Sequence, residues 1–369
     1  MTRPSALRSQ PLALVGLSLL LLSLAGPAQA RFRRADAASP LASVPDKARG
    51  PIILAVSLAD QRLTVWENGV VVARSMVSTG VAGHETPRGV FTLLQKKRMH
   101  RSNIYSNAPM PFMQRITWSG VALHQGHVTG RPASHGCIRL PAEVAKKLFG
   151  YTKVGARVII TDEPVTPADF AHPGLFSALP PDALPAPPAP VAHTPLETDA
   201  PTFGIVATDP PATIQLASLP IGEAAMPPMP LPEPEPAPPQ AEAPKRQPTG
   251  HVSVFISGKE RKLFIRQGFE PVYESPVEIS PGAVLGAHLF TAMEVNQKEG
   301  AVRWSRVSLP VKGAASASAG EALERIQIPQ EARIEVGRRL SAGASLLIAD
   351  QGLGRETGKT ATDFILLTP

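Results

Sequence analysis

The chain has a single cysteine, Cys137, in 369 residues. An internal disulfide is therefore excluded, and so is any zinc module built on paired cysteines. Aromatic residues are scarce at 5%. The formal charge is +7, but no dense Lys/Arg block occurs, so the basic residues read as a solvated surface and nothing points to nucleic acid. Past Leu24 no apolar run approaches the roughly 18 residues needed to span a bilayer, so no transmembrane segment is expected in the mature chain.

What is present begins at the N-terminus. Arg3 and Arg8 precede an apolar run from Leu12 to Leu24, which ends in Ala28-Gln29-Ala30. A basic start, an apolar stretch of this length and an A-x-A ending describe a secretory signal peptide over 1–30, cut after Ala30. The expected product is secreted, periplasmic or associated with a cell wall. In an oxidising compartment an exposed thiol is a liability, so a lone cysteine is either buried and inert or kept for its reactivity. The polar, turn-like flank Ser134-His135-Gly136 favours the second reading.

Residues 31–50 are basic, then rich in Ala, Ser and Pro, and read as a spacer. A β-rich domain follows over 51–162. Strands are predicted at 51–58 and 62–66, then Asn68-Gly69 as a hairpin turn, then a strand at 70–77. Thr86-Pro87-Arg88-Gly89 forms a corner before Val90-Phe91-Thr92. Segment 95–120 mixes Lys96, Lys97 and Arg98 with Met99, Met110, Phe112, Met113 and Trp118, and reads either as a loop with core anchors or as a lid over an extended ligand. A short helix is expected from Pro141 to Phe149 and a closing strand at 155–160.

From 163 to 249 the character changes, because these 87 residues hold 24 of the 41 prolines. Such a segment buries too little apolar surface to offset its ordering entropy, and reads as a disordered Pro/Ala-rich linker. A second β-rich domain is expected over 250–369. Leu63 and Val77 recur as Leu263 and Val277, an offset of 200, although the turns Asn68-Gly69 and Gln267-Gly268 disagree by one residue. Ile138-x-Leu140-Pro141 recurs as Ile326-x-Ile328-Pro329, and Gly155-Ala156 with Asp162 as Gly343-Ala344 with Asp350, all at 188. The second half therefore reads as a degenerate, non-catalytic repeat that keeps the apolar framework and loses the cysteine.

The chemistry concentrates in Ser134-His135-Gly136-Cys137-Ile138-Arg139, with His124 thirteen residues before the cysteine. A thiol is a few per cent thiolate at neutral pH, and a neighbouring imidazole raises its reactivity. His124 and His135 are both candidates for that base. If Cys137 lies in a strand, His135 and Arg139 share its face. Gly136 permits close approach, the amides near Gly136 and Cys137 offer an oxyanion hole, and Arg139 offers a carboxylate clamp. Four zinc ligands could also be drawn from His124, His127, His135 and Cys137, but the spacing fits no paired finger pattern and lacks the HExxH glutamate, so no metal is expected.

These residues resemble the L,D-transpeptidase catalytic domain family (YkuD-type). The string HQGHVTGRPASHGCIRLP has an upstream His followed by S-H-G-C-hydrophobic-R, and Thr86–Phe91 supplies the family's TP-x-G-x-F corner. The resemblance spans about 51–162, with an echo over 251–350. It implies a mainly β, sandwich-like catalytic domain, and attack by a cysteine on the L,D bond of peptidoglycan tetrapeptide stems. D-Alanine leaves, and the acyl group passes to an amine without any cofactor. By position it implies Cys137 as nucleophile and His124 as base, oriented by the Gln125 carbonyl. Ser134, His135 and Arg139 would support the site, with Gly136 and Cys137 amides at the oxyanion. The chain departs from many members at Gln125-Gly126 and at Val144, where an acidic residue is often found.

Three functions follow. One is a peptidoglycan L,D-transpeptidase. A second uses the same site as an L,D-carboxypeptidase or to attach a protein to the wall. The third is a non-catalytic wall-binding protein, which suits the C-terminal repeat but not the intact site at 124–139.

Overall fold

The computed structural model describes residues 47–105, 107–180, 248–310, 317–354, 357 and 362–368. The expected signal peptide, most of the spacer and the bulk of the proline-rich segment lie outside the described residues. No helix among the described residues is long and apolar enough to cross a membrane.

The first lobe opens with β1 (Ile52–Ser57), β2 (Arg62–Glu67) and β3 (Val70–Met76). The β2–β3 turn places Asn68 at φ 51° and Gly69 at φ 83°, the two left-handed residues that a tight right-twisted hairpin requires. Next come β4 (Gly89–Thr92), β5 (Gln95–Lys97), β6 (Met113–Arg115), β7 (Ala122–Gln125) and β8 (Ile138–Leu140). Helix α1 (Ala142–Tyr151) starts after Pro141, whose fixed φ and missing N–H suit a helix start, and β9 (Arg157–Thr161) closes the lobe. Strands β4, β9, β1, β2 and β3 make one sheet, and β5–β8 a second. Their facing side chains, among them Leu54, Val56, Leu123, Ile138 and Leu140, form the core of this lobe with Leu148 and Tyr151 of α1.

The second lobe contains β10 (Ala168–Phe170), β11 (Val252–Ser257), β12 (Lys262–Gln267), β13 (Glu270–Pro276), β14 (Glu278–Ile279), β15 (Ala287–Asn296) and β16 (Ala301–Ser308). It continues with α2 (Ala319–Glu324), β17 (Ile326–Gln327), α3 (Gln330–Gly337) and β18 (Ser345–Ala349), and a last strand is β19 (Leu366–Leu367). Strand order β15-β18-β11-β12-β13 repeats the order β4-β9-β1-β2-β3 of the first lobe. Register repeats as well: Ser57 pairs with Arg62 and Ser257 with Lys262, and a bulge follows Val65 in one lobe and Ile265 in the other. Pro141 and Pro329 cap their helices at almost the same dihedrals, φ −55° and ψ 149° against φ −55° and ψ 148°. The hairpin turn of the second lobe falls at Gly268 and Phe269, φ 57° and 76°, so the one-residue disagreement expected at this turn does not exist. Phe269 simply takes the left-handed position that Gly69 holds in the first lobe.

The lobes diverge after Thr92 and Thr291. In the first, the chain crosses to build the β5–β8 sheet; in the second, β15 runs on and turns back as β16. Among the described residues the copy thus has no counterpart of the four-stranded sheet that carries the Cys/His segment beyond the two-stranded β14–β17 pair.

Two sequence boundaries need correction. Residues 163–180 were assigned to the linker by their position at its start, yet β10 pairs with β16, and Leu175 and Phe176 enter the second lobe's core. The strap is proline-rich like the rest of the segment, but Phe170, Leu175 and Phe176 supply the apolar surface that orders it. Conversely, the tail assigned to the second domain returns to the first. β19 pairs with β4 as Leu366↔Val90 and Leu367↔Gly89. A side chain on Gly89 would lie 1.9 Å from the Leu366 carbonyl oxygen, so the glycine of the Thr-Pro corner is where the tail docks.

The described residues of both lobes belong to one compact unit, and the two lobes pack sheet to sheet. All six residues of β1 are buried because each face is covered: Ile52, Leu54 and Val56 enter the catalytic core, and Ile53 the junction. Val90, Ile159, Phe255, Leu289, Leu347 and the tail residues Phe364 and Leu366 complete that junction.

A polar network crosses it. The fully buried Arg157 guanidinium of β9 lies 3.2 Å from the Asp363 carboxylate and 2.7 Å from Ser253 Oγ, and also bonds Ser345. Asp363 accepts further bonds from His251 (3.0 Å), Ser253 (2.8 Å) and Thr92 (2.9 Å). Burial pushes the Asp363 carboxyl up, but Arg157 with the His251 and Ser253 bonds outweighs this and holds it well below the usual carboxylate range. Removing one partner of such a pair strands the other without compensation, so Asp363→Ala should lower unfolding free energy by about 3–5 kcal/mol in a denaturant titration. Because the folded-state pKa is depressed, this contribution is complete above the unfolded value near pH 4 and fades as pH drops below it. The acid limb of wild-type stability should therefore flatten in the variant.

Candidate active site

The four-stranded sheet sets out the site by register. β7 and β8 run parallel with Leu123↔Ile138 and His124↔Arg139, which places Cys137 opposite Ala122. Arg115 on β6 faces Ala122 from the other side. Arg115, Ala122 and Cys137 therefore form one row across the sheet, with His124 and Arg139 on the same face one step on.

Cys137 lies just before β8, packed on Met110, Met113 and Ala122, with Sγ 3.6 Å from the Gly120 carbonyl. Burial pushes its thiol pKa up, against the opposing effects of the Ala122 backbone and of Arg115 and Arg139. His124 is 8% exposed, and burial pushes its pKa down, with a bond to the Gln125 carbonyl opposing and Arg139 reinforcing. The ring Nδ1 is 2.7 Å from that carbonyl, which can only accept, so Nδ1 carries the proton and Nε2 is the basic nitrogen of the neutral ring.

The Ser134–Cys137 turn is tied by its own side chains and by the Thr-Pro corner. Ser134 Oγ donates to the Cys137 carbonyl at 2.5 Å and receives the Gly136 amide at 3.2 Å. Thr86 Oγ1 receives the Gly80 amide and donates to the Gly136 carbonyl, both at 2.9 Å. Gly136 sits at φ +108°, where side chains are strained.

This conformation alters two expectations. His135 does not alternate with Cys137 as in a strand, because the positive φ at Gly136 breaks the pleat; its exposed ring packs on Tyr105 (4.9 Å) and His84 (4.8 Å) at the rim. The Gly136 amide, expected at the oxyanion, points to Ser134 Oγ, so an incoming oxyanion would compete with that hydroxyl. Arg139 does share the Cys137 face. Its stem lies over Gly126, where a Cβ would approach Arg139 Cγ to 2.9 Å, which accounts for the glycine after Gln125.

All seven expected site residues (His124, Gln125, Ser134, His135, Gly136, Cys137 and Arg139) line one cavity of about 540 Å³. His127 lines it too, from an exposed position, and no group of metal-ligating side chains occurs among the described residues. The segment 95–120 contains a hairpin, β5 with β6, joined by a long connection. Met110 and Met113 are core anchors, while Ser102, Ile104 and Tyr105 form a wall of the cavity. Sequence reading missed Arg115, His100, His84 and Glu85. Arg115 Nη2 is 3.3 Å from His100 Nε2, and its guanidinium stacks over Trp118. Burial, Arg115 and Lys97 push the His100 pKa down. Only the pairing Arg115↔Ala122, which a sequence does not display, relates Arg115 to the cysteine.

Residues 51–160 match the family of the L,D-transpeptidase catalytic domain, YkuD. Among solved structures, an L,D-transpeptidase from Stackebrandtia nassauensis is 29% identical, with a TM-score of 0.28, over 31% of this chain and 57% of that one. L,D-transpeptidase 1 of Mycobacterium tuberculosis is 28% identical, with a TM-score of 0.27, over 30% and 62%. An L,D-transpeptidase from Mycobacterium smegmatis is 24% identical, with a TM-score of 0.29, over 30% and 59%. The chain thus spans about three fifths of the length of the solved structures it matches. No match was found among curated proteins. Over residues 51–160 the chain therefore carries a catalytic domain of the L,D-transpeptidase family.

Proposed function

We propose that the protein is an exported peptidoglycan L,D-transpeptidase acting through a Cys137 thioester. The observation that carries this reading is the anchored imidazole: Nδ1 of His124 is fixed on the Gln125 carbonyl, leaving Nε2 as base on the face that bears Cys137. With the thiol pKa raised and the imidazole pKa lowered, both groups are neutral at pH 7. Attack and proton transfer are then coupled. As the C–S bond forms at the carbonyl before the terminal D-alanine, the thiol proton moves to His124, which passes it to the departing amine as the C–N bond breaks. Arg139 and Arg115 serve the carboxylates of the stem peptide. The thioester then passes to an amine of another stem, giving a 3-3 cross-link. Residues 1–30 supply export to the envelope, and the second lobe supports the catalytic one without chemistry of its own. Transfer to water, as an L,D-carboxypeptidase, or to a wall-attached protein would use the same first step.

Incubating purified mature protein with tetrapeptide muropeptides and reading the products by mass spectrometry should give cross-linked dimers. Cys137→Ala should give none, with an unchanged circular-dichroism spectrum; turnover in that variant refutes the cysteine mechanism. Trimmed tripeptides alone would select the carboxypeptidase.

The protonation states make a separate prediction. Alkylation of Cys137 by iodoacetamide should rise with pH through a midpoint above the ordinary cysteine range, since only thiolate reacts. A resting thiolate–imidazolium pair would instead be alkylated fast at pH 6. The acid limb of turnover should lie below the usual histidine pKa of about 6.5, because the base is lost only when His124 is protonated.

A further inference from the structure

The walls of the cavity differ in charge on the two sides of Cys137. On the β6–β7 side stands Arg115, in the same row as Cys137 and about 10 Å away across two strand spacings. The opposite edge of β8 is flanked by residues 78–86: Ser78 pairs with Arg139, Gly80 with Ser134, and Thr86 holds the Gly136 carbonyl. A Cβ built on Gly136 would find the carbonyl oxygens of His84 and Glu85, each 3.8 Å away. Both therefore face the residue adjoining the nucleophile.

Glu85 is the one acidic residue among those lining the cavity, whose arginines are Arg115 and Arg139. Its carboxylate accepts the Gly83 amide at 2.9 Å. Backbone bonds from Gly83 and from its own amide hold its pKa below the usual glutamate range, so it is ionised at neutral pH. Arg88, paired with Asp162 at 2.6 Å, and His84 add smaller contributions in the same direction. Beside Glu85, the rings of His84, Tyr105 and His135 form a mutual cluster, with centroids 4.8–6.3 Å apart. A carboxylate, two carbonyl oxygens and an aromatic face make a site for an alkylammonium group.

We propose that Glu85, the His84 and Glu85 carbonyls and Tyr105 form the subsite that receives the acceptor amine, and so set transfer against hydrolysis. The inference rests on the Cys137 thioester proposed above. The amine arrives as an ammonium and releases one proton to solvent at the open rim. Its nitrogen attacks the thioester carbonyl; the C–N bond forms, the C–S bond breaks and sulfur leaves as thiolate. The second proton passes from nitrogen to His124 and on to the thiolate, restoring the thiol. Water carries no charge and gains nothing from Glu85.

A merely structural Glu85 would hold the 83–85 turn through Gly83, a bond that glutamine also accepts. The test is therefore Glu85→Gln in the full mature chain, with a disaccharide-tetrapeptide as donor and acceptor. The expected ratio of cross-linked to trimmed product falls about fivefold, the scale of an exposed charge contact. Formation of the Cys137 adduct, followed by intact-protein mass spectrometry, should change less than that ratio. With hydroxylamine, largely uncharged at neutral pH, the ratio of hydroxamate to trimmed product should match the wild type. An unchanged cross-linking ratio, an equal fall with hydroxylamine, or a loss confined to adduct formation each overturns the subsite. An adduct that goes only to water in the wild type does the same. Absence of any Cys137 adduct in the wild type instead overturns the thioester reading itself.

Discussion

A guanidinium is enclosed where two sheets meet, and the molecule is arranged so that it is never left alone. Arg157 belongs to β9, an inner strand of the catalytic sheet, and its side chain points away from the site into the second lobe. Removing an arginine from water costs several kcal/mol unless its charge and donors are all answered. Ser253 and Ser345 of the second lobe, Thr92 of the first and Asp363 of the tail share that task. None of these suffices alone. The two β-rich regions therefore share one buried polar network and one apolar junction, and pack as a single unit rather than as tethered modules.

This constraint reaches the active site along a short path. Docking Asp363 brings Leu366 and Leu367 onto β4 at Gly89 and Val90, and Thr368 donates to the Arg88 carbonyl at 3.1 Å. Arg88 is fixed in turn by Asp162, and Thr86, two residues earlier, holds the Gly136 carbonyl. The Thr-Pro corner thus has the tail strand at one end and the cysteine turn at the other. The turn beside Cys137, with Gly136 at φ +108°, is a conformation that only glycine adopts readily, and its surroundings hold it in place. The second lobe, which has no four-stranded counterpart of the site-bearing sheet among the described residues, forms part of those surroundings.

Much of this was legible in the sequence, and the exceptions have physical causes. The hairpin β2–β3 followed from Asn68-Gly69 between β-formers, and the repeat from apolar positions spaced at 200 and 188. The Cys137 and His124 segments stood out because nucleophile and base need particular side chains. The lobe junction did not. The unbroken run Ile52–Val56 is equally compatible with a strand buried on both faces and with a short core helix segment. Only pairing with β11's own lobe shows what covers Ile53. The tail at 362–368 gave no signal, because its role depends on one carboxylate reaching an arginine more than 200 residues away. Glu85 and Arg115 were missed for the same reason: each matters through a neighbour across the sheet, not through its place in a motif.

The protonation of the Cys/His pair connects these features to the handling of a lone thiol. A resting thiolate is the form that oxidants attack first, and a chain with one cysteine has no resolving thiol to rescue it. Packing Cys137 on Met110, Met113 and Ala122 keeps the thiol neutral, and burying His124 keeps the base unprotonated. In the mechanism proposed above, the thiolate is then generated only when a carbonyl is in place to accept its electrons. Slower activation is the cost of that choice, and the arginines at 115 and 139 offset part of it by favouring the anion as it develops. Neutrality at rest and cations near the sulfur are therefore two halves of one solution to keeping a lone thiol usable.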